Sequence, residues 1–104
     1  MNMFKYFMKG KFSDLLIEAK NDPSAVIIDV REEEAFRKSH IEGSINIPLD
    51  EIASAEIPEG KTPYLYCLTG ARSAKACAIL EERGFIPQNL GGISGYMGEY
   101  LTNK

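Results

Sequence analysis

Cysteine is scarce in this chain: only Cys67 and Cys77 occur in 104 residues. Small secreted folds stapled by disulfides carry more, so a reducing, cytoplasmic setting is expected. Histidine is scarcer still, with His40 alone. No group of His, Cys and acidic residues has metal-ligand spacing, so neither a metal nor a cofactor is expected. No apolar run approaches the roughly 18 residues that a bilayer span needs. Long basic runs are missing too, and the net charge is −3. Nucleic acid and anionic membrane surfaces are therefore not expected as partners. Residues 1–11 mix Phe4, Tyr6, Phe7 and Met8 with three lysines. That apolar run is too short and interrupted for a signal peptide, and no Ala-x-Ala follows it. It reads as an N-terminal extension.

What is present is ordinary globular material, 44% apolar and 26% charged. The length suits one domain, taken as residues 12–104, with one modest core. There is no repeat, linker or low-complexity tract. Ser13 is placed as N-cap of a short helix ending at Lys20, with Asn21-Asp22-Pro23 as the stop. Ala25 to Val30 is nearly all β-branched, as expected of a strand covered on both faces. Glu32 to Ser39 reads as a helix, Ser44 to Ile47 as a short strand, and Leu49 to Ser54 as a short helix. Residues 58–63 are taken as loop and Tyr64 to Tyr66 as a strand running into Cys67. Arg72 to Arg83 is the best helix, with Gly84 as its C-cap. Gln88 to Leu90 is a short strand, and Ile93 to Leu101 is placed as a last helix. Strands alternating with helices imply an α/β fold, a mostly parallel sheet with helices on both faces. Sites in such sheets lie at the carboxyl ends of strands.

Two strand ends carry chemistry. At the first, Asp29 and Arg31 could line the rim of a site, or form an ion pair or loop anchor. The anchor is the favoured reading, with Glu34 or Glu42 as partner for Arg31. At the second, Cys67 closes a strand and Leu68-Thr69-Gly70-Ala71 lead to a helix starting near Arg72. A turn of this kind directs backbone N–H groups inward as an anion nest, and the helix N-terminus adds partial positive charge. Gly70 permits the positive φ that a tight loop needs. Arg72 adds a fixed charge. A sulfur held there is expected to be thiolate at neutral pH.

Cys77 is the contrast. It lies on a helix face with Ala76 and Leu80 and reads as core packing. A mostly helical stretch separates it from Cys67 by roughly 10 Å or more along the axis. That exceeds the ~7 Å Cα limit of a disulfide. His40 reads as a hydrogen-bonded structural histidine, and Tyr96 and Tyr100 as packing for the last helix.

The chain resembles the single-domain rhodanese family. The resemblance rests on Ile28-Asp29-Val30-Arg31, Phe36, His40 to Pro48, Tyr66 to Ser73, Gly84-Phe85 and Gly91-Gly92-Ile93, in that order. It implies a rhodanese-like α/β domain with a five-stranded, mostly parallel sheet flanked by helices. It implies a sulfurtransferase in which Cys67 is the catalytic residue and carries sulfane sulfur as a persulfide. The loop Leu68, Thr69, Gly70, Ala71, Arg72 and Ser73 would bind the anion. The donor would be thiosulfate, a persulfide or a polysulfide, and the acceptor a thiol, a cyanide-like nucleophile or an acceptor protein. The family commonly has other residues at Ser39, Glu42 and Tyr96, outside the chemistry. No Lys, Arg or His lies between Cys67 and Arg72, so a less charged or bulkier donor than thiosulfate is expected.

Rival readings are a cysteine phosphatase or arsenate reductase, a non-catalytic binding module, and a sulfur carrier or redox sensor. The oxyanion enzymes place five residues between Cys and Arg, whereas four stand here. The smaller ring suits one sulfur atom. A binding module of this type usually lacks the cysteine that this chain keeps.

Overall fold

The computed structural model describes residues 2–7 and 10–104. Met1, Met8 and Lys9 of the expected N-terminal extension lie outside the described residues. Four strands, β1 (Ala25–Asp29), β3 (Ile45–Asn46), β4 (Thr62–Cys67) and β5 (Gln88–Gly92), form a parallel sheet in the order β3-β1-β4-β5. Between β1 and β3 come α2 (Glu33–Lys38) and β2 (His40–Ile41). Strand alternation decides which side chains meet which helix. Ile27, Tyr64 and Tyr66 point to one face, where Phe12, Leu16 and Ala19 of α1 (Phe12–Lys20) pack. Ile28, Leu65 and Cys67 point to the other, where Ala76, Cys77 and Leu80 of α3 (Ala71–Glu82) pack. With both faces covered, neither central strand needs a polar side, which explains their apolar runs.

The register aligns Ile28 with Leu65 and Asp29 with Tyr66. The ends of β1 and β4 therefore finish side by side, and their following loops share one edge of the sheet. On β5 the register shifts, Leu65 facing Asn89 and Tyr66 facing Gly91, so Leu90 forms a bulge. Bulges re-aim neighbouring side chains, and this one lies two residues from the end of β4.

Several boundaries differ from the sequence reading. The first helix starts at Phe12, with Lys11 in the capping position and Ser13 inside the first turn. Burial of Phe12 sets that turn, and no side chain caps it. Strand β4 begins at Thr62, within the expected loop. Arg83 caps α3 and Gly84 follows with φ 97°, its N–H bonded to the Glu81 carbonyl. The expected last helix is absent. Residues 93–100 run through turns, with Gly95 at φ 83°, into β6 (Leu101–Thr102). Strand β6 pairs antiparallel with β2, His40 facing Thr102 and Ile41 facing Leu101. Glycines weaken a helix here, and the ladder to β2 offers these residues an alternative set of hydrogen bonds. The four-stranded parallel sheet and this separate ladder replace the five-stranded sheet expected from the resemblance. Tyr96 and Tyr100 still pack against the α1 face, without a helix of their own.

Leu65 is fully buried at the centre of the face beneath α3. Leu65→Ala is expected to lower unfolding free energy by about 2–5 kcal/mol. Urea denaturation checks this; a loss under 1 kcal/mol (roughly that of a surface change) would contradict the packing described.

Candidate functional site

Cys67 ends β4 with its side chain toward α3 and is only 1% exposed. The chain then leaves the sheet through Leu68 and Thr69 and enters α3 through Gly70, whose φ is 100°. That left-handed turn suits glycine alone and is where the sequence placed it. It swings the start of α3 back over the sulfur. The Gly70 N–H points at Cys67 Sγ at 3.0 Å, and the Ser73 N–H at 3.4 Å. The Ser73 hydroxyl oxygen lies 3.5 Å from the same sulfur. Burial opposes ionisation of Cys67. The Ser73 hydroxyl and N–H, with the N–H groups of Gly70 and Thr69, outweigh it and hold the thiol below its ordinary range. These donors form the nest expected from the sequence.

Of the other loop residues, Leu68 and Thr69 are exposed. Leu68 is 49% exposed. Ala71 begins α3, and Arg72 is exposed, with no ion pair among the described residues. Arg72 borders a cavity of about 390 Å³ that Lys75, Glu32 and Asp50 also line, over an apolar floor of Leu49 and Ile79. A second cavity, between Glu59–Thr62 and Arg83–Ile86, lies at the start of β4 and touches none of the cradle.

The far wall of the loop is the end of β5. Ile93 N–H bonds the Cys67 carbonyl at 2.9 Å, and Ser94 N–H the Leu68 carbonyl at 3.0 Å. Gly92 is there because the loop leaves no room for more. A Cβ on it would lie 2.5 Å from the Leu68 carbonyl oxygen and 2.7 Å from Thr69 Cα. Asn89 ties the wall together. Its Oδ1 accepts from the Ser73 hydroxyl at 2.7 Å and the Gly91 N–H at 2.9 Å. Its Nδ2 donates to the carbonyls of Tyr6 at 2.6 Å and Gly70 at 3.2 Å. Sequence reasoning passed over Asn89 and the tight approach at Gly92. One signal was available for Asn89: asparagine is depleted in strands, so its place just before Leu90 needed a cause.

Asp29 and Arg31 are brought together, but as a buried pair. Arg31 Nη2 meets Asp29 Oδ2 at 2.6 Å, Nε lies 3.0 Å from both carboxylate oxygens, and the Arg31 N–H donates to Oδ1 at 2.8 Å. Nη2 also donates to the Ser39 carbonyl at 2.7 Å. Burial disfavours the guanidinium charge; Asp29 more than compensates and holds Arg31 above its usual range. The anchor reading therefore fits, with Asp29 as partner in place of Glu34 or Glu42. His40 is likewise engaged in structure, its Nδ1 2.7 Å from the Phe36 carbonyl and its ring stacked on Phe36 at 3.8 Å. Cys77 is buried and its thiol is pushed up, by burial first and then by the charges of Cys67 and Glu81. Both cysteines are free. They share one buried cluster, because α3 folds back across β4.

The chain matches the Rhodanese-like domain family model over residues 13–99. It is 41% identical over 71 residues to the thiosulfate sulfurtransferase PspE of Escherichia coli, covering 64% of this chain and 68% of that one. It is 38% identical over 72 residues to a tRNA sulfurtransferase of Thermoplasma acidophilum, covering 69% of this chain and 15% of that protein. Among solved structures, a rhodanese-related protein from Thermoplasma volcanium superposes with TM-score 0.78 at 26% identity, covering 94% of this chain and 100% of that one. These relatives support sulfur transfer in general.

Two outcomes follow from the cradle. Ultraviolet thiolate absorbance is expected to show Cys67 ionising below the ~8.5 of a free thiol, while Cys77 stays protonated; a midpoint at or above the free value would contradict the cradle. Gly92→Ala is expected to displace the loop, cost about 1–3 kcal/mol, and raise that midpoint. An unchanged midpoint would show that Gly92 does not shape the loop.

Proposed function

Because this chain belongs to the rhodanese-like domain family, we propose that it moves sulfane sulfur from a donor to a thiophilic acceptor through a persulfide on Cys67. The observation that carries this is the convergence of the Gly70 and Ser73 N–H groups on one buried sulfur. Donors fixed around a developing anion need no reorganisation when charge arrives. In the first half-reaction the Cys67 thiolate attacks the outer sulfur of the donor. The bond between that sulfur and the rest of the donor breaks, and the remainder leaves with the electron pair. In the second, the acceptor's thiolate or carbon nucleophile attacks the outer sulfur of the persulfide. The S–S bond breaks and Cys67 returns as thiolate. Neither step requires a base, in keeping with the engagement of His40 elsewhere.

The donor is proposed to be a persulfide or polysulfide in preference to thiosulfate. The loop offers the exposed apolar side chain of Leu68 and no cation before Arg72. The cavity that Arg72 borders is lined by Glu32 and Asp50 as well as Lys75, so a small dianion meets both signs of charge there. Intact-mass spectrometry after incubation with each donor tests the core reading. One added sulfur is expected on the wild type and on Cys77→Ser, and none on Cys67→Ser. No addition from any donor would leave a non-catalytic binding module as the better account. Turnover is expected to be higher with glutathione persulfide than with thiosulfate, and a strong thiosulfate preference would remove the donor assignment.

A further inference from the structure

The Ser73 hydroxyl has three acceptors and one proton. Its oxygen lies 2.7 Å from Asn89 Oδ1, 3.1 Å from the Gly70 carbonyl and 3.5 Å from Cys67 Sγ. Ser73 is fully buried. The amide of Asn89 cannot be turned over to relieve this competition. The Gly91 N–H demands an oxygen at one end, and the carbonyls of Tyr6 and Gly70 demand the NH2 at the other. Oδ1 therefore faces Ser73, and the shortest contact takes the proton. A serine oxygen that donates to Asn89 presents lone pairs elsewhere, which suits a neutral S–H as donor and does not suit an anion. A charged sulfur competes better for the proton, because a hydrogen bond to an ion is roughly twice as strong as a neutral one.

We propose that Asn89 is a positioning residue that sets the direction of the Ser73 hydroxyl, which turns from Asn89 to the Cys67 sulfur when that sulfur carries negative charge. The proposal rests on Cys67 being the sulfur-bearing nucleophile. In this role Asn89 acts through the Ser73 hydroxyl and touches no reacting atom. It gives the hydroxyl somewhere to rest between half-reactions, so the cradle stays satisfied with a neutral sulfur as well as a charged one. The same amide holds the Tyr6 carbonyl, so the N-terminal segment is part of what fixes its orientation. The charged and titratable groups around this pair include Cys77, Arg72 and Glu81 on α3, and Lys5 and Tyr6 beside Glu81. None of them is altered in the test.

A structural role and this role move the reactive sulfur in opposite directions. If Asn89 only braced the loop, Asn89→Ala would loosen the N–H donors and raise the midpoint of Cys67 ionisation. If it competes for the Ser73 proton, Asn89→Ala frees that proton for the sulfur and lowers the midpoint. The pH dependence of Cys67 thiolate absorbance is measured in wild type, Asn89→Ala, Ser73→Ala and the double variant. The midpoint is expected to fall by roughly half a pH unit in Asn89→Ala and to rise in Ser73→Ala. The double variant is expected to match Ser73→Ala, since without the hydroxyl Asn89 has no proton to draw away from the sulfur. A rise or no change in Asn89→Ala, or an Asn89 effect that survives the loss of Ser73, overturns the proposal. Should the variants fail to fold, the wild type decides. The side-chain amide resonances of Asn89 are expected to move with Cys67 ionisation, and resonances that stay put overturn it. The separate measurement of sulfur loading shows whether a failure belongs to this hydroxyl or to the sulfurtransferase reading itself.

Discussion

A sulfur buried at the end of a strand has to find its hydrogen-bond donors in the backbone around it, and that requirement shapes the rest of this site. The first N–H groups of α3 have no partners within the helix. Gly70 turns the chain so that its own N–H and that of Ser73 meet the sulfur. Everything else nearby keeps that turn in place. Gly92 lets β5 approach within contact of Leu68 and Thr69, and the Ile93 and Ser94 N–H groups close the gap. Asn89 fills the corner between β5, the loop and the N-terminal segment.

The two cysteines show how one residue type is split into opposite roles by its surroundings. Both are buried in one cluster, Cys67 at the end of β4 and Cys77 on the face of α3 that covers it. Cys67 faces N–H donors and is held toward its anion. Cys77 sits among Ala76, Leu80 and other apolar groups, and burial there holds it as a thiol. The negative charge favoured on one discourages charge on the other. That arrangement suits the single nucleophilic sulfur that the proposed persulfide chemistry requires.

Much of the fold was legible because local and tertiary demands agreed. The β-branched run from Ala25 is apolar on both sides up to Ile28 because helices cover both sides, and its pattern implies the layers. The stretch after Cys67 combines a strand end, a glycine and a helix start, and each of these has one local conformation. The region after Ile93 was misread because its apolar spacing fits a helix as well as a turn. Glycines and the free edge of His40–Ile41 decided for the turn and the short ladder. Arg31 was assigned a partner on a neighbouring helix or loop. Its partner is Asp29, two residues back, because the strand end points both side chains into the same buried space.

The sequence by itself determined the α/β layering, the position of Cys67 at a strand end, the left-handed turn at Gly70 and the start of the helix that follows. Those features follow from periodicity and from the φ angles that glycine alone takes easily. Tertiary structure alone decided which groups complete the cradle. Asn89 and Gly92 come from a strand more than twenty residues downstream of Cys67, and Tyr6 from the opposite end of the chain. Asn89 and Gly92 reach the loop because β5 pairs with β4 in a shifted register, and Tyr6 joins them through the amide of Asn89. A register is set by how two strands pack, not by what either one spells.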